Sequence, residues 1–173
     1  MKSMMIATVV ALAGGAQGQN LLSNGGFEVG INYDGNDVGN WNAFFSGGST
    51  FQQAEVVNDG QAFEGVQAMQ IGNFEGADQF VGITQTVAIT GGSDFTFAFQ
   101  AREIVQNGIN AEYRIEWKDA GGAFIGGQFD LNTDLASGLT QDWQPFSLTA
   151  AAPANAATAT VVIAVQTFGS PAP

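Results

Sequence analysis

Along the middle of the chain, apolar and polar residues alternate. Phe95, Phe97 and Phe99 interleave with Thr96, Ala98 and Gln100, and Tyr113, Ile115 and Trp117 with Glu112, Arg114, Glu116 and Lys118. Val161, Ile163 and Val165 do the same with Thr160, Val162, Ala164 and Gln166, while Ile83, Val87 and Ile89 share a parity that also holds Gln85. A period of two is the signature of a strand with one buried face. Shorter or less regular runs predict further strands at 51–57, 66–71, 122–129 and 146–150. Turn pairs lie between them: Asp34-Gly35, Asp59-Gly60, Gly91-Gly92, Asn107-Gly108 and Gly121-Gly122. No stretch of ten or more residues carries a helical stripe. Eight or nine short strands separated by glycine turns predict an all-β fold, an antiparallel β-sandwich or jelly roll. Residues 32–41 and 131–142 read as long polar loops, the usual seat of binding residues.

The start of the chain has a different pattern. Met1-Lys2 is a short positive beginning, Met4 to Ala13 is an apolar stretch, and Ala16-Gln17-Gly18 supplies small residues around a cut. This is the three-part layout of a secretory signal, and the apolar run is too short to span a bilayer. The expectation is a signal peptide at 1–18 and one domain at 19–173, secreted to the extracellular space or cell surface. The alternative is a buried N-terminal helix. No second apolar segment is long enough to cross a membrane.

Composition narrows the chemistry. The chain has 173 residues with neither cysteine nor histidine, so a Cys/His zinc site, a thiol nucleophile, a disulfide and an imidazole base are all excluded. Four basic residues against 16 acidic ones give a net charge of −12. Lys2, Arg102, Arg114 and Lys118 cannot furnish a phosphate-binding surface, which excludes nucleic acid as a partner, and the negative field repels polyanionic glycans. A hydrophobic content of 45% with 14 phenylalanines argues for a packed core in spite of the charge.

Several segments in order resemble one family. The run from Asn20 to Glu28 (NLLSNGGFE), Gly39-Asn40-Trp41, the segment from Glu64 to Ile71, and Ile83-Thr84-Gln85-Thr86-Val87 are similar to motifs of CenC-type carbohydrate-binding modules. So are Arg114 to Gly122 (RIEWKDAGG), Trp143-Gln144-Pro145-Phe146-Ser147, and Ala152-Pro153-Ala154 with the following strand. The likeness spans Asn20 to about Gln166 and implies a galactose-binding-like jelly roll that holds a poly- or oligosaccharide across a concave sheet. Family members finish with a further strand carrying two aspartates, whereas this chain ends Phe168-Gly169-Ser170-Pro171-Ala172-Pro173. A sheet short of that strand would expose an edge open to self-association. The resemblance also implies a structural calcium, for which Glu28 and Glu64 would supply hard oxygen ligands.

On the polar parity of the central strands, Gln100, Arg102, Arg114, Glu116 and Gln166 are the expected sugar-binding residues, since amides, guanidinium groups and carboxylates hydrogen-bond hydroxyls in fixed planar geometry. The plainer reading is a solvated sheet face with cross-strand pairs worth about 0.2–1 kcal/mol each. A pyranose also needs an aromatic surface. Family members often place one where Gln100 stands; here Tyr33 and Trp41 are the rim candidates, and Trp117 and Trp143 read as structural. Catalysis is not expected. Glycoside hydrolysis needs carboxyls about 5–9.5 Å apart, and Glu112 and Glu116, four residues apart on one strand, are spaced by about 13 Å. The reading is a secreted, non-catalytic carbohydrate-binding module for a neutral glycan. Its rivals are a structural or adhesive surface protein assembling by strand addition, and an ancillary module of a longer secreted glycoside hydrolase.

Overall fold

The computed structural model describes residues 2–13, 19–29, 40–46, 52–58, 60–73, 79–104, 110–127, 133–134 and 139–166. They form twelve strands and no helix. These are β1 (Lys2–Ala13), β2 (Gln19–Asn20), β3 (Asn42–Phe45), β4 (Gln52–Val57), β5 (Ala68–Asn73) and β6 (Phe80–Ala88). The rest are β7 (Asp94–Glu103), β8 (Asn110–Lys118), β9 (Phe124–Gly126), β10 (Thr133–Asp134), β11 (Gln144–Ala151) and β12 (Thr158–Gln166). One sheet has the order β11-β7-β1-β5-β4, with β2 beside β1; the other runs β10-β8-β12-β6-β3, with β9 beside β8. Every pairing among the described residues is antiparallel. The protein is a β-sandwich.

The alternation in the sequence becomes the inside and outside of this sandwich. Phe95, Phe97, Phe99 and Ala101 of β7 point inward and meet Tyr113, Ile115 and Trp117 of β8 from the opposite sheet. Phe95 stands edge-on to Trp117 at 5.6 Å between centroids, and Phe99 to Tyr113 at 5.1 Å. Met69, Ile71, Ile83, Val161, Ile163 and Val165 fill the space between. Burying a side chain of this size stabilises by about 1.5–3 kcal/mol, so this shared layer holds together strands that have little stability in isolation.

In the full chain the N-terminal segment is part of the sandwich. Lys2–Ala13 is neither a helix nor apart from the fold; it is β1, interior to the first sheet between β5 and β7. Met4, Ile6 and Val9 are fully buried. The same uninterrupted apolar composition that suits an export signal suits a strand flanked on both sides, because β-branched Ile6, Val9 and Val10 pack well on a pleated surface.

The Asn20–Glu28 motif stitches the end of the sandwich. Gln85, on the inward parity of β6, accepts from Ser23 N–H at 2.7 Å and donates to Ser23 O at 3.0 Å. Asn24 clamps Val29 in both directions, at 2.8 and 3.0 Å, and its carbonyl accepts from Trp41 Nε1 at 3.2 Å. Trp41 has no exposed surface and packs on Phe27 at 5.5 Å. Anchored there by Trp41, the chain enters β3 with Ala43 and Phe45 against the core and Phe44 on the outer face.

Candidate functional site

The outer face of the second sheet is built as cross-strand rows. Val162 of β12 lies between Arg114 of β8 and Thr84 of β6, and Ala164 between Glu112 and Gly82. Thr160 lies between Glu116 and Thr86, and Gln166 is opposite Phe80. Beyond β6, Asn42 pairs with Thr84 and Phe44 with Gly82.

This gives a low floor with two unlike walls. Glycine, alanine and valine form the floor at Gly82, Ala164 and Val162, and the flanking side chains lean over it until Val162 and Ala164 are 1% and 2% exposed. A Cβ at Gly82 would come within 2.5 Å of Phe44 Cζ and of the Ile163 carbonyl, so only glycine lets the ring lie there. Phe44 and Phe80 pack together at 5.8 Å and make one wall. The other wall is ionic. Arg114 Nε donates to Glu116 Oε1 at 2.9 Å, Arg114 Nη1 pairs with Glu112 Oε1, and Gln166 Nε2 reaches Glu112 Oε2 at 3.4 Å. These charged side chains are 13–17% exposed, so the pairing is shielded from water and fixes their planes. Thr86 and Thr160 extend the polar row with a 2.8 Å hydroxyl contact. Phe124, opposite Lys118, is 47% exposed near the far end of β8.

The single trough expected from the sequence is divided. Arg114, Glu116 and Gln166 share this face. Gln100 and Arg102 do not, because β7 belongs to the other sheet and its outward side chains point away from those of β8. On that first sheet Gln100 lines a cavity of about 370 Å³ with Val10, Phe63, Ala98, Pro145 and Ser147. Arg102 lies beside it, 5.3 Å from the Trp143 ring, hydrogen-bonded through Nη2 to Gln61 and 3.2 Å from Met5 Sδ; its Nε is buried without a partner among the described residues. Trp41 is a core residue, not a rim aromatic. Tyr33 lies outside the described residues. The aromatics that sequence reasoning missed are Phe44 and Phe80; the alternation Trp41-Asn42-Ala43-Phe44-Phe45 was the available signal, hidden inside a segment too short to score as a strand.

The Glu112–Glu116 spacing also needs correction. Their backbone positions are two pleats apart, but both side chains fold onto the guanidinium between them, so both carboxylates are committed to one cation. Glu28 and Glu64, the expected calcium ligands, do not by themselves make a cage. Glu28 Oε1 accepts from Val66 N–H at 2.9 Å and Gln67 N–H at 3.0 Å, amide donors where a cation would need carbonyl oxygens. No group of three acidic side chains that could hold a metal occurs among the described residues.

No family model matches the chain, and no curated protein sequence matches it. Several solved structures share the fold, among them the following two. One, titled "CBM4 structure and function", aligns with a TM-score of 0.50 and 20% identity over 83% of this chain and 88% of that one. The other is the enzymatically active domain of tailspike protein 4 from bacteriophage CBA120, with a TM-score of 0.63 and 18% identity over 86% of this chain. The present chain spans only 19% of the tailspike chain. At these identities the likeness is one of fold: an antiparallel β-sandwich of the kind seen in both.

Proposed function

We propose that this protein is a secreted, non-catalytic carbohydrate-binding module that lays a neutral glycan along the outer face of the second sheet. The observation that carries the reading is the pairing, on one face, of a hydrogen-bonded Glu116–Arg114–Glu112–Gln166 wall with the Phe44–Phe80 wall. The ionic wall offers fixed donors and acceptors to sugar hydroxyls, and the phenylalanine rings offer an apolar surface to the C–H face of a pyranose. The motif resemblance to CenC-type modules and the fold shared with a CBM4 structure support the same direction. Both carboxylates are tied to one guanidinium, an arrangement suited to holding a ligand rather than to flanking a bond for cleavage.

For a hydroxyl-reading face of this kind we expect dissociation constants on the order of 10 μM to 1 mM. Electrophoresis through native gels containing soluble glucans or xylans tests the proposal. The chain is expected to be retarded by at least one neutral polymer, Gln166→Ala to lose that retardation, and Gln100→Ala to keep it. Unchanged migration across the panel would overturn the reading.

A further inference from the structure

The segment with the layout of a removable leader is also an interior strand of the first sheet. Met4 sits between Ile71 of β5 and Glu103 of β7, and Ile6 between Met69 and Ala101. Past a shift in register between Ala7 and Val10, the strand continues along β7, with β2 on its other side at Leu12 and Ala13. At the irregularity Val9 N–H donates to the Gly25 carbonyl at 2.7 Å. A Cβ at Gly25 would lie 2.0 Å from the Val9 carbonyl oxygen, so the motif loop is shaped to accept a strand at that place.

With β1 gone, β5 and β7, which have no pairing with each other, would face one another across a channel one strand wide. Both would present unpaired N–H and C=O groups above the apolar floor of the core, bordered by the inward side chains Met69 and Ile71 on one side and Phe97 and Phe99 on the other. Two open ladders over such a floor define their ligand: one extended segment, antiparallel to both neighbours, apolar at alternate inward positions and free of proline. We infer that the channel between β5 and β7 is a strand-acceptor site. Lys2–Ala13 fills it in the intact chain; once that segment is cut away, the channel takes an apolar extended segment of the same pattern from another polypeptide. The inference is independent of glycan binding.

The test places a specific protease site within residues 14–18 of the full chain and cuts the folded protein there. The severed strand is expected to stay with the domain through gel filtration. After denaturation and removal of that strand, residues 19–173 should recover buried tryptophan fluorescence and a cooperative melt only when a synthetic peptide of residues 2–13 is supplied. The same peptide carrying I6D should fail. Refolding of 19–173 alone to the full melt, with no peptide taken up, would overturn the inference. So would refolding of the uncut chain under conditions where the cut chain fails even with excess peptide. Should the uncut chain itself not refold, excess labelled 2–13 peptide is incubated with the cut protein in urea just strong enough to release the severed strand: incorporation supports the acceptor site, and release of the old strand without uptake of the labelled one overturns it.

Discussion

Arg114 and Arg102 are both outward residues on a strand of alternating pattern, and their surroundings make them different objects. Arg114 has a carboxylate two residues away on each side of its own strand, and both close on it. Its neighbour across the sheet is the small Val162, so the charged wall stands clear over a low floor. Arg102 has Met5 as its neighbour across the sheet and is drawn sideways over Trp143, with Gln61 as its polar partner. Near it apolar surface meets water: Phe63 is 46% exposed and edge-on to Trp143 at 5.9 Å. A guanidinium fixed between carboxylates is held in one plane, which is what the proposed glycan site requires of it. One resting on an indole chiefly covers apolar surface. The residue type and its parity were therefore poor guides to role; the residues beside and across from it decide.

The sharpest way to break this comparison is to remove each arginine. Arg114→Ala leaves two shielded carboxylates without their cation, and loss of one partner from a shielded pair is costly. We expect a loss of about 2–3 kcal/mol, read as a midpoint roughly 4–12 °C lower in a thermal scan, together with loss of glycan retardation. Arg102→Ala removes a cation–π contact worth about 0.5–1 kcal/mol and should leave retardation intact. If the two variants lost equal stability, or if Arg102→Ala alone abolished retardation, the assignment of the faces would be reversed.

The aromatic walls give a second, smaller contrast. Phe44→Ala strips the ring from above Gly82, and we expect at least a tenfold weaker glycan dissociation constant, about 1.4 kcal/mol. Phe63→Ala, on the opposite face, should change the melting midpoint little and glycan binding not at all, because nearly half of its surface already meets water. Isothermal titration with the polymer that retards the parent chain separates the outcomes.

How much of this was legible beforehand follows from which forces are local. Strand identity and parity in β6, β7, β8 and β12 were readable because burial imposes a period of two on consecutive residues. The weaker runs also became strands, as β4, β5, β9 and β11, with bounds shifted by a few residues. Sheet membership was not readable. Nothing in the alternation of Phe95–Phe99 or Tyr113–Trp117 tells which sheet each joins, and that alone separated Gln100 and Arg102 from Arg114. β3 was missed because four residues carry too little periodicity, and β1 because an apolar run fits a leader and a doubly flanked strand equally well. Trp41, Gln85 and Glu28 lie in segments that carry the resemblance, and the contacts the structure gives them are architectural: a buried anchor, a clamp on Ser23 and a clamp on the 66–67 amides.

The smallest effect concerns Glu55, on β4 at the edge of the first sheet and opposite Gln70. Partial burial raises its carboxyl above the usual value of 4.5, since removing water disfavours the charged form. For an acid whose folded value is raised, the folded state holds the proton more tightly than the unfolded chain. Stability therefore falls as pH rises from the unfolded value through the folded one, and the full cost is present at neutral pH. Glu55→Gln removes a charge that burial penalises, so the variant should melt slightly higher than the parent at pH 7, with the difference shrinking to nothing below about pH 4. Parallel thermal scans from pH 3.5 to 7 read this directly. A gain that persisted undiminished in acid would mean that the introduced amide acts by packing or hydrogen bonding instead of by relieving a desolvated charge. The first sheet's face would then owe its tolerance to shape, whereas the Arg114 face would still depend on paired charge.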